Sequence, residues 1–246
     1  MLAPENLETG PLVYAAIVLF LAYMVRGIAG FGSGLIAVPL LAQVFPVQEV
    51  VPVVVFLDYV GSASQGLKNR RAIAWGEQLP LIPFSLLGVA AGLALLSMAK
   101  EALLAQALGV FVMIYAVYQL LPLPTLRGSR IYAAPFGFLG GFVGTIFGTG
   151  GPFYVIYLGL RALDKTSFRA TFAFNFLIDG AIRLGAFAIF GLFQGGVFLG
   201  SIAALPIVGL GLWLGGKVHT ELSQQAYVRI ISTVVFVSGI ALLFKM

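Results

Sequence analysis

Phe31-Gly32-Ser33-Gly34 and Phe147-Gly148-Thr149-Gly150 are the two stretches whose reading decides the fold. Each closes a long apolar run and opens a short one. Pro11 to Gly30 leads into the first and Gly34 to Phe45 follows it; Ile131 to Phe147 leads into the second and Pro152 to Leu160 follows. An apolar run of about 20 residues crosses the ~30 Å hydrocarbon layer as a helix. The pieces after the breaks are too short for that and predict short or re-entrant half-helices.

The rest of the chain agrees with a lipid solvent. Further apolar runs span Val50 to Leu67, Leu79 to Met98, Ala102 to Leu121, Ala170 to Phe190, Gly195 to Gly215 and Tyr227 to Phe244. The expected fold is an all-α integral membrane protein with about eight long transmembrane helices and two half-helices. Of 246 residues, 60% are hydrophobic and 9% charged, against about 25% charged in a soluble domain, and the mean hydropathy is +1.04. A water-soluble protein is excluded. With no cysteine and one histidine, a disulfide framework, a thiolate nucleophile, a Cys-ligated metal and a His cluster are excluded too, and no metal or cofactor is expected. His219, between Lys217 and Glu221, reads as a solvated loop residue. The first ten residues carry no basic side chain, so the first run reads as a retained span rather than a cleaved signal.

The two breaks lie 116 positions apart. Phe56-Leu57-Asp58 resembles Leu177-Ile178-Asp179 at 121 positions, and Pro83, Leu87, Gly88 and Gly92 match Pro206, Leu210, Gly211 and Gly215 at 123. Conserved order with slowly drifting spacing predicts a duplication: residues 1–121 form the first repeat, 122–130 a connecting loop and 131–246 the second repeat, together one membrane domain.

Basic residues choose the topology. If each break and its half-helix return the chain to the side it came from, Lys68, Arg70, Arg71, Arg127, Arg130, Arg161, Lys165, Arg169 and Lys217 share one side, and Lys100 and Lys245 fall opposite. Eight simple spans would divide the same residues almost evenly. The positive-inside rule favours the first arrangement. It places both termini outside and gives five segments per half, hence inverted repeats. The net charge of +5 is then an orientation signal, and no nucleic acid is expected as a partner.

A helix N-terminus carries partial positive charge and outward amides, so a glycine break that opens a helix attracts an anion. Candidate binding residues are Gly32, Ser33 and Gly34 at the first break and Gly148, Thr149, Gly150 and Gly151 at the second. Pro152 suits a first helical turn, and Ser33 or Thr149 offers a cap. The competing reading is that these glycines and hydroxyls only permit tight helix packing. Arg26, beside the first break, either contacts the anion or reaches for the interface. Asp58, Asn175, Asp179 and Arg183 lie inside spans, where ionisable groups are costly, and are candidates for gating or proton coupling. Arg183 stands four residues after Asp179, so the pair also suits an intrahelical ion bridge. Phe153, Tyr154 and Tyr157 follow the second break as candidate cavity walls. No phosphate-binding G-x-x-x-x-G-K-[ST] and no zinc-protease H-E-x-x-H occurs, which favours secondary transport over an ATPase or an enzyme.

Arg26-Gly27-Ile28-Ala29-Gly30-Phe31-Gly32-Ser33-Gly34-Leu35-Ile36-Ala37-Val38-Pro39-Leu40, with its counterpart Gly144-Thr145-Ile146-Phe147-Gly148-Thr149-Gly150-Gly151-Pro152, resembles the glycine-rich motifs of the TauE/SafE (sulfite exporter, TSUP) transporters. Ser33 departs from that family's usual run of glycines, and the proline moves from Pro39, well after the first break, to Pro152 at the edge of the second. The resemblance implies export of a small sulfur-containing anion, such as sulfite, a sulfonate or sulfoacetate, across a bacterial inner membrane. The residues themselves support a small anion or polar solute moved across a bilayer by alternating access at the repeat interface. An anion channel and a partner-binding membrane subunit are the competing readings.

Overall fold

The computed structural model describes residues 9–30, 32–66, 70–121, 127–193, 195–218 and 224–245. Phe31, Lys68, the stretch 122–126 of the connecting loop, His219 and Glu221 lie outside them. Among the described residues there are no strands. The α-helices in chain order are α1 (Thr9–Ala29), α2 (Ser33–Leu41), α3 (Val47–Gly66), α4 (Trp75–Gln78), α5 (Leu81–Met98), α6 (Glu101–Leu120), α7 (Ala133–Phe147), α8 (Gly151–Leu160), α9 (Lys165–Ile189), α10 (Gly196–Lys217) and α11 (Gln224–Leu243). Among the described residues, six helical segments are long and apolar enough to cross a membrane. Large apolar side chains such as Ile114, Leu199 and Leu87 stand exposed on their faces, as lipid contact requires.

The helices begin and end close to the expected runs, except that α2 stops at Leu41, four residues before the expected Phe45, and α9 starts early. α9 starts at Lys165, five residues before the expected Ala170, because Asp164 caps it. The Asp164 carboxylate accepts from the Thr166 and Ser167 amides at 2.9 and 3.0 Å. Hydrogen bonds from the Ser167 side chain, the Ser167 amide and the Thr166 amide hold that carboxyl below its ordinary value. A capped polar turn extends the helix where hydropathy alone ends it.

The chain forms two compact units that divide inside α3. The first comprises residues 1–54, 99–123 and 194–246; the second comprises 55–98 and 124–193. In the first, α1 packs along α10, α6 along α11, and α2 against α1 and α11. In the second, α5 packs along α7, and α9 lies against α4, α5 and α8.

Glycines set these contacts. A Cβ on Gly211 of α10 would fall 2.7 Å from the Phe20 carbonyl oxygen of α1, and one on Gly215 would strike the Met24 carbonyl. In the other unit, a Cβ on Gly88 of α5 would strike the Phe138 carbonyl of α7, and one on Gly92 would lie 2.8 Å from the Phe142 carbonyl. The pairs matched in the sequence, Gly88 with Gly211 and Gly92 with Gly215, therefore perform the same task. Each pair brings one helix onto the backbone of the helix that precedes a glycine break. Without a hydrophobic drive between helices in lipid, such close backbone contact supplies much of the association.

Each half-helix turns back along its predecessor. Tyr14, early in α1, donates to the Leu40 carbonyl near the end of α2 at 2.9 Å. The Gly128 amide, ahead of α7, donates to the Leu160 carbonyl at the end of α8 at 2.9 Å. The chain thus leaves α8 at the end where it entered α7, and Arg130 and Arg161 share one carboxylate there.

Gly211→Leu should force α10 off α1, where overpacking costs roughly 1–3 kcal/mol or more. The expected result is a lower unfolding temperature of the detergent-solubilised protein, read by fluorescence-detected gel filtration. Gly209→Leu, at a position where a Cβ meets nothing within 4 Å, serves as the control and should leave that temperature nearly unchanged.

Candidate functional site

α1 ends at Ala29, and the chain turns through Gly30 and Gly32, both left-handed at φ +86° and +99°. L-residues with side chains rarely adopt that conformation, so glycine is required there. Gly32 is the residue that caps α2, and no side chain does so. Ser33 is the first residue inside the helix, and its hydroxyl accepts from Arg26 Nη1 at 3.2 Å. The expectation that Ser33 caps α2 is corrected accordingly. Arg26 is buried, bridging across the break rather than extending to an interface. Gly34 is buried in the first turn of α2.

The second break is built similarly. Gly148, at φ +66°, terminates α7 and donates to the Gly144 carbonyl at 3.0 Å. Gly150 caps α8, and Pro152 occupies its first turn, as expected. Thr149 does not cap: its hydroxyl lies in a residue 3% exposed and has no hydrogen-bond partner. A buried hydroxyl without a partner costs about 1–3 kcal/mol. Gly151 packs so that a Cβ would lie 3.1 Å from the Phe176 ring. Gly150 is pressed onto the Gly140 carbonyl, so a side chain there would collide with α7. Substituting Gly150 therefore tests packing, whereas Thr149→Val removes the unpartnered hydroxyl at constant shape.

α9 brings a buried polar stripe to this region. Thr171, Asn175, Asp179 and Arg183 recur every four residues and are all buried. Each has a partner on a neighbouring element. Thr171 Oγ1 accepts from the Ala74 amide at 2.8 Å, and Asn175 Oδ1 accepts from Gln78 Nε2 at 2.9 Å. Asp179 Oδ1 accepts from Ser85 Oγ at 2.6 Å and from Tyr154 Oη at 2.9 Å, while its other oxygen pairs with Arg183 Nη2. Arg183 Nη1 also donates to the Gly144 carbonyl at 2.8 Å. Its guanidinium and Gly150 Cα both crowd the same point above Gly144, 2.9 and 3.3 Å away. Asp179, Arg183 and the second break thus form one cluster.

Asp58 of α3 and Arg183 line a common crevice with Val55, Tyr59, Phe176 and Gly180. In this conformation the crevice is too narrow for a water molecule. Tyr154 and Tyr157, expected as cavity walls, are fully buried and occupied by carboxylates, Asp179 and Glu77 respectively. Among the described residues no group of three His, Asp or Glu side chains could hold a metal ion.

The family model described as Sulfite exporter TauE/SafE matches residues 15–242, nearly the whole chain and both breaks. The chain belongs to the TauE/SafE family. Neither a curated protein nor a solved structure matches it. TauE/SafE membership, together with the apolar helices, makes this a multi-pass membrane protein of an exporter family.

Ser85, Gln78 and Glu77 of this TauE/SafE chain went unread in its sequence. Ser85 is a lone hydroxyl in an apolar run, and nothing local signals that Asp179 lies opposite. Glu77 and Gln78 precede the expected start of a span at Leu79 and look like loop residues. Their signal is the WGEQ turn itself, two polar side chains abutting an apolar run with no room to be solvated.

Removing one member of a buried ion pair strands the other at a cost of roughly 3–5 kcal/mol. Asp179→Ala should therefore be much more destabilising than the double variant Asp179→Ala/Arg183→Met. Asp179→Asn, which can still accept from Ser85 and Tyr154, should fall between wild type and Asp179→Ala. Thermal unfolding in detergent ranks the variants; equal loss in the single and double variants would deny the coupling.

Proposed function

We propose that the protein exports small sulfur-containing anions across a bacterial inner membrane by alternating access. Each glycine break contributes the donors at the start of its half-helix: Gly32, Ser33 and Gly34 for α2, and Gly148, Thr149, Gly150 and Gly151 for α8. Arg26 stands beside the first and Arg183 beside the second. The two halves act as inverted repeats with both termini outside. Asp58 and Asp179 are the groups through which a proton would be coupled to the movement, with Asn175 lining the path. Catalysis plays no part in this reading.

The observation that carries the proposal is the exporter-family match across two breaks built alike. In each, a long helix stops at left-handed glycine and a short helix starts within a few residues. A half-helix so presented turns its amides toward a polar guest, because hydrocarbon satisfies none of them. The unpartnered Thr149 hydroxyl at the mouth of α8 adds a donor for an oxyanion. Duplication is supported by Gly88 and Gly92 repeating the backbone contacts of Gly211 and Gly215. The turn of each half-helix back along its predecessor supports five segments per half.

Purified protein in proteoliposomes is the test. Sulfite or a short sulfonate on the trans side should accelerate uptake of labelled anion in a saturable way, whereas an open channel shows no trans-stimulation. A partner-dependent subunit shows no flux at all. Thr149→Val should leave folding intact and weaken anion affinity by about tenfold or more, the worth of one hydrogen bond to a charged ligand. Unchanged affinity would remove Thr149 from the site.

A further inference from the structure

Away from the break, the other end of α8 is fastened by a cluster that the transport reading does not use. Glu77 of α4, 6% exposed, accepts from Arg161 Nε at 2.8 Å and Nη2 at 3.3 Å, from Arg130 Nε at 3.1 Å and from Tyr157 Oη at 2.9 Å. Arg161 is the residue that closes α8, and its Nη1 donates to the Gly128 carbonyl. The Gly128 amide returns a bond to the Leu160 carbonyl. The C-terminal end of α8 is thereby tied both to the turn that opens α5 and to the stretch that enters α7. Releasing this carboxylate would break four hydrogen bonds, three of them from guanidinium groups, and leave a nearly buried charge unpaired.

α8 is short enough to link its two ends. α8 has ten residues and is about 15 Å long. Its two buried tyrosines, three residues apart, each donate to a carboxylate on a different neighbour: Tyr154 to Asp179 and Tyr157 to Glu77, both at 2.9 Å. A shift of α8 by one helical turn, about 5.4 Å, would carry both bonds beyond hydrogen-bond range. We propose that Glu77 is a positioning residue for transport. With Arg161, Arg130 and Tyr157 it forms an anchor that stays closed throughout the cycle and sets the register of α8. That register decides where Thr149, Gly150 and Gly151 present their donors. The inference rests on the reading that α8 binds the anion at its N-terminus.

The absence of cysteine makes a covalent test free of background. A Cβ at Gly128 would lie 3.1 Å from that of Leu160, near the ~3.5–4.5 Å of disulfides, so Gly128→Cys/Leu160→Cys can staple the anchor shut. The oxidised staple should transport sulfite in proteoliposomes within about twofold of its reduced form. Glu77→Ala should raise KM about tenfold or more with kcat changed less than about threefold, the signature of misplaced binding donors. It should also speed deuterium exchange of the α8 amides, and the staple introduced into Glu77→Ala should restore both readouts. Should Glu77→Ala fail to yield monodisperse protein, Tyr157→Phe carries the same test with a smaller shift in KM. A staple that arrests transport would show a latch that opens, and overturn the proposal. So would a fall in kcat at unchanged KM, or restored exchange without restored KM. If wild type moves no sulfite, the anion reading fails separately; the exchange measurement still decides whether Glu77 holds α8, unaltered exchange in Glu77→Ala counting against it.

Discussion

Hydrocarbon cannot hydrogen-bond a backbone, and this constraint organises the molecule. A helix that stops inside the membrane exposes carbonyls at its end, and a helix that starts there exposes amides. The structure answers the first need with its own groups. Gly30 and Gly148 close α1 and α7 by donating to Arg26 and Gly144 carbonyls, and a buried arginine stands at each stop, Arg26 on Ser33 and Arg183 on Gly144. A cation suits the negative end of the helix dipole. The second need is left less fully met, since no side chain caps α2 or α8. This asymmetry between well-served carbonyls and thinly served amides is what turns a packing defect into a candidate for anion recognition.

Burying Asp179 and Arg183 side by side is expensive, yet here each polar atom has work. The carboxylate gathers Ser85, Tyr154 and Arg183, and the guanidinium reaches from α9 to α7. Tyr154 also ties that carboxylate to α8, so α5, α7, α8 and α9 meet at one polar knot within the second unit. Tyr154 also belongs to an apolar core with Leu81, Tyr157, Leu158 and Phe172, and the burial of Asp179 and Arg183 strengthens each bond of the knot.

Much of this was legible from residue order. The breaks, the half-helices and the Asp179–Arg183 bridge follow from glycine placement, run length and four-residue spacing, because these are local properties of one helix or one turn. Caps were legible only in part. Ser33 and Thr149 have the right chemistry, but left-handed glycine at position 32 and the tight turn at 148–150 put a glycine at the capping position instead. The partners of Asn175 and Asp179 were not legible, since Gln78 and Ser85 lie 97 and 94 residues away and carry no periodicity of their own. The Glu77 cluster was hidden for a related reason: Arg130 and Arg161 count as topology signals in a sequence, and nothing there says that one acid binds both.

The glycine contacts on α1 and α7 continue nearly to the breaks: Gly27 lies against Gly215, and Thr145 against Gly92. Backbone resting on backbone has no rotamers to rearrange, so neither pair can slide without first separating. α1 with α10, and α5 with α7, are therefore stiff twin rods, and little elastic compliance remains along them. Whatever flexing these parts undergo is confined to the few left-handed glycines beyond the rods' ends.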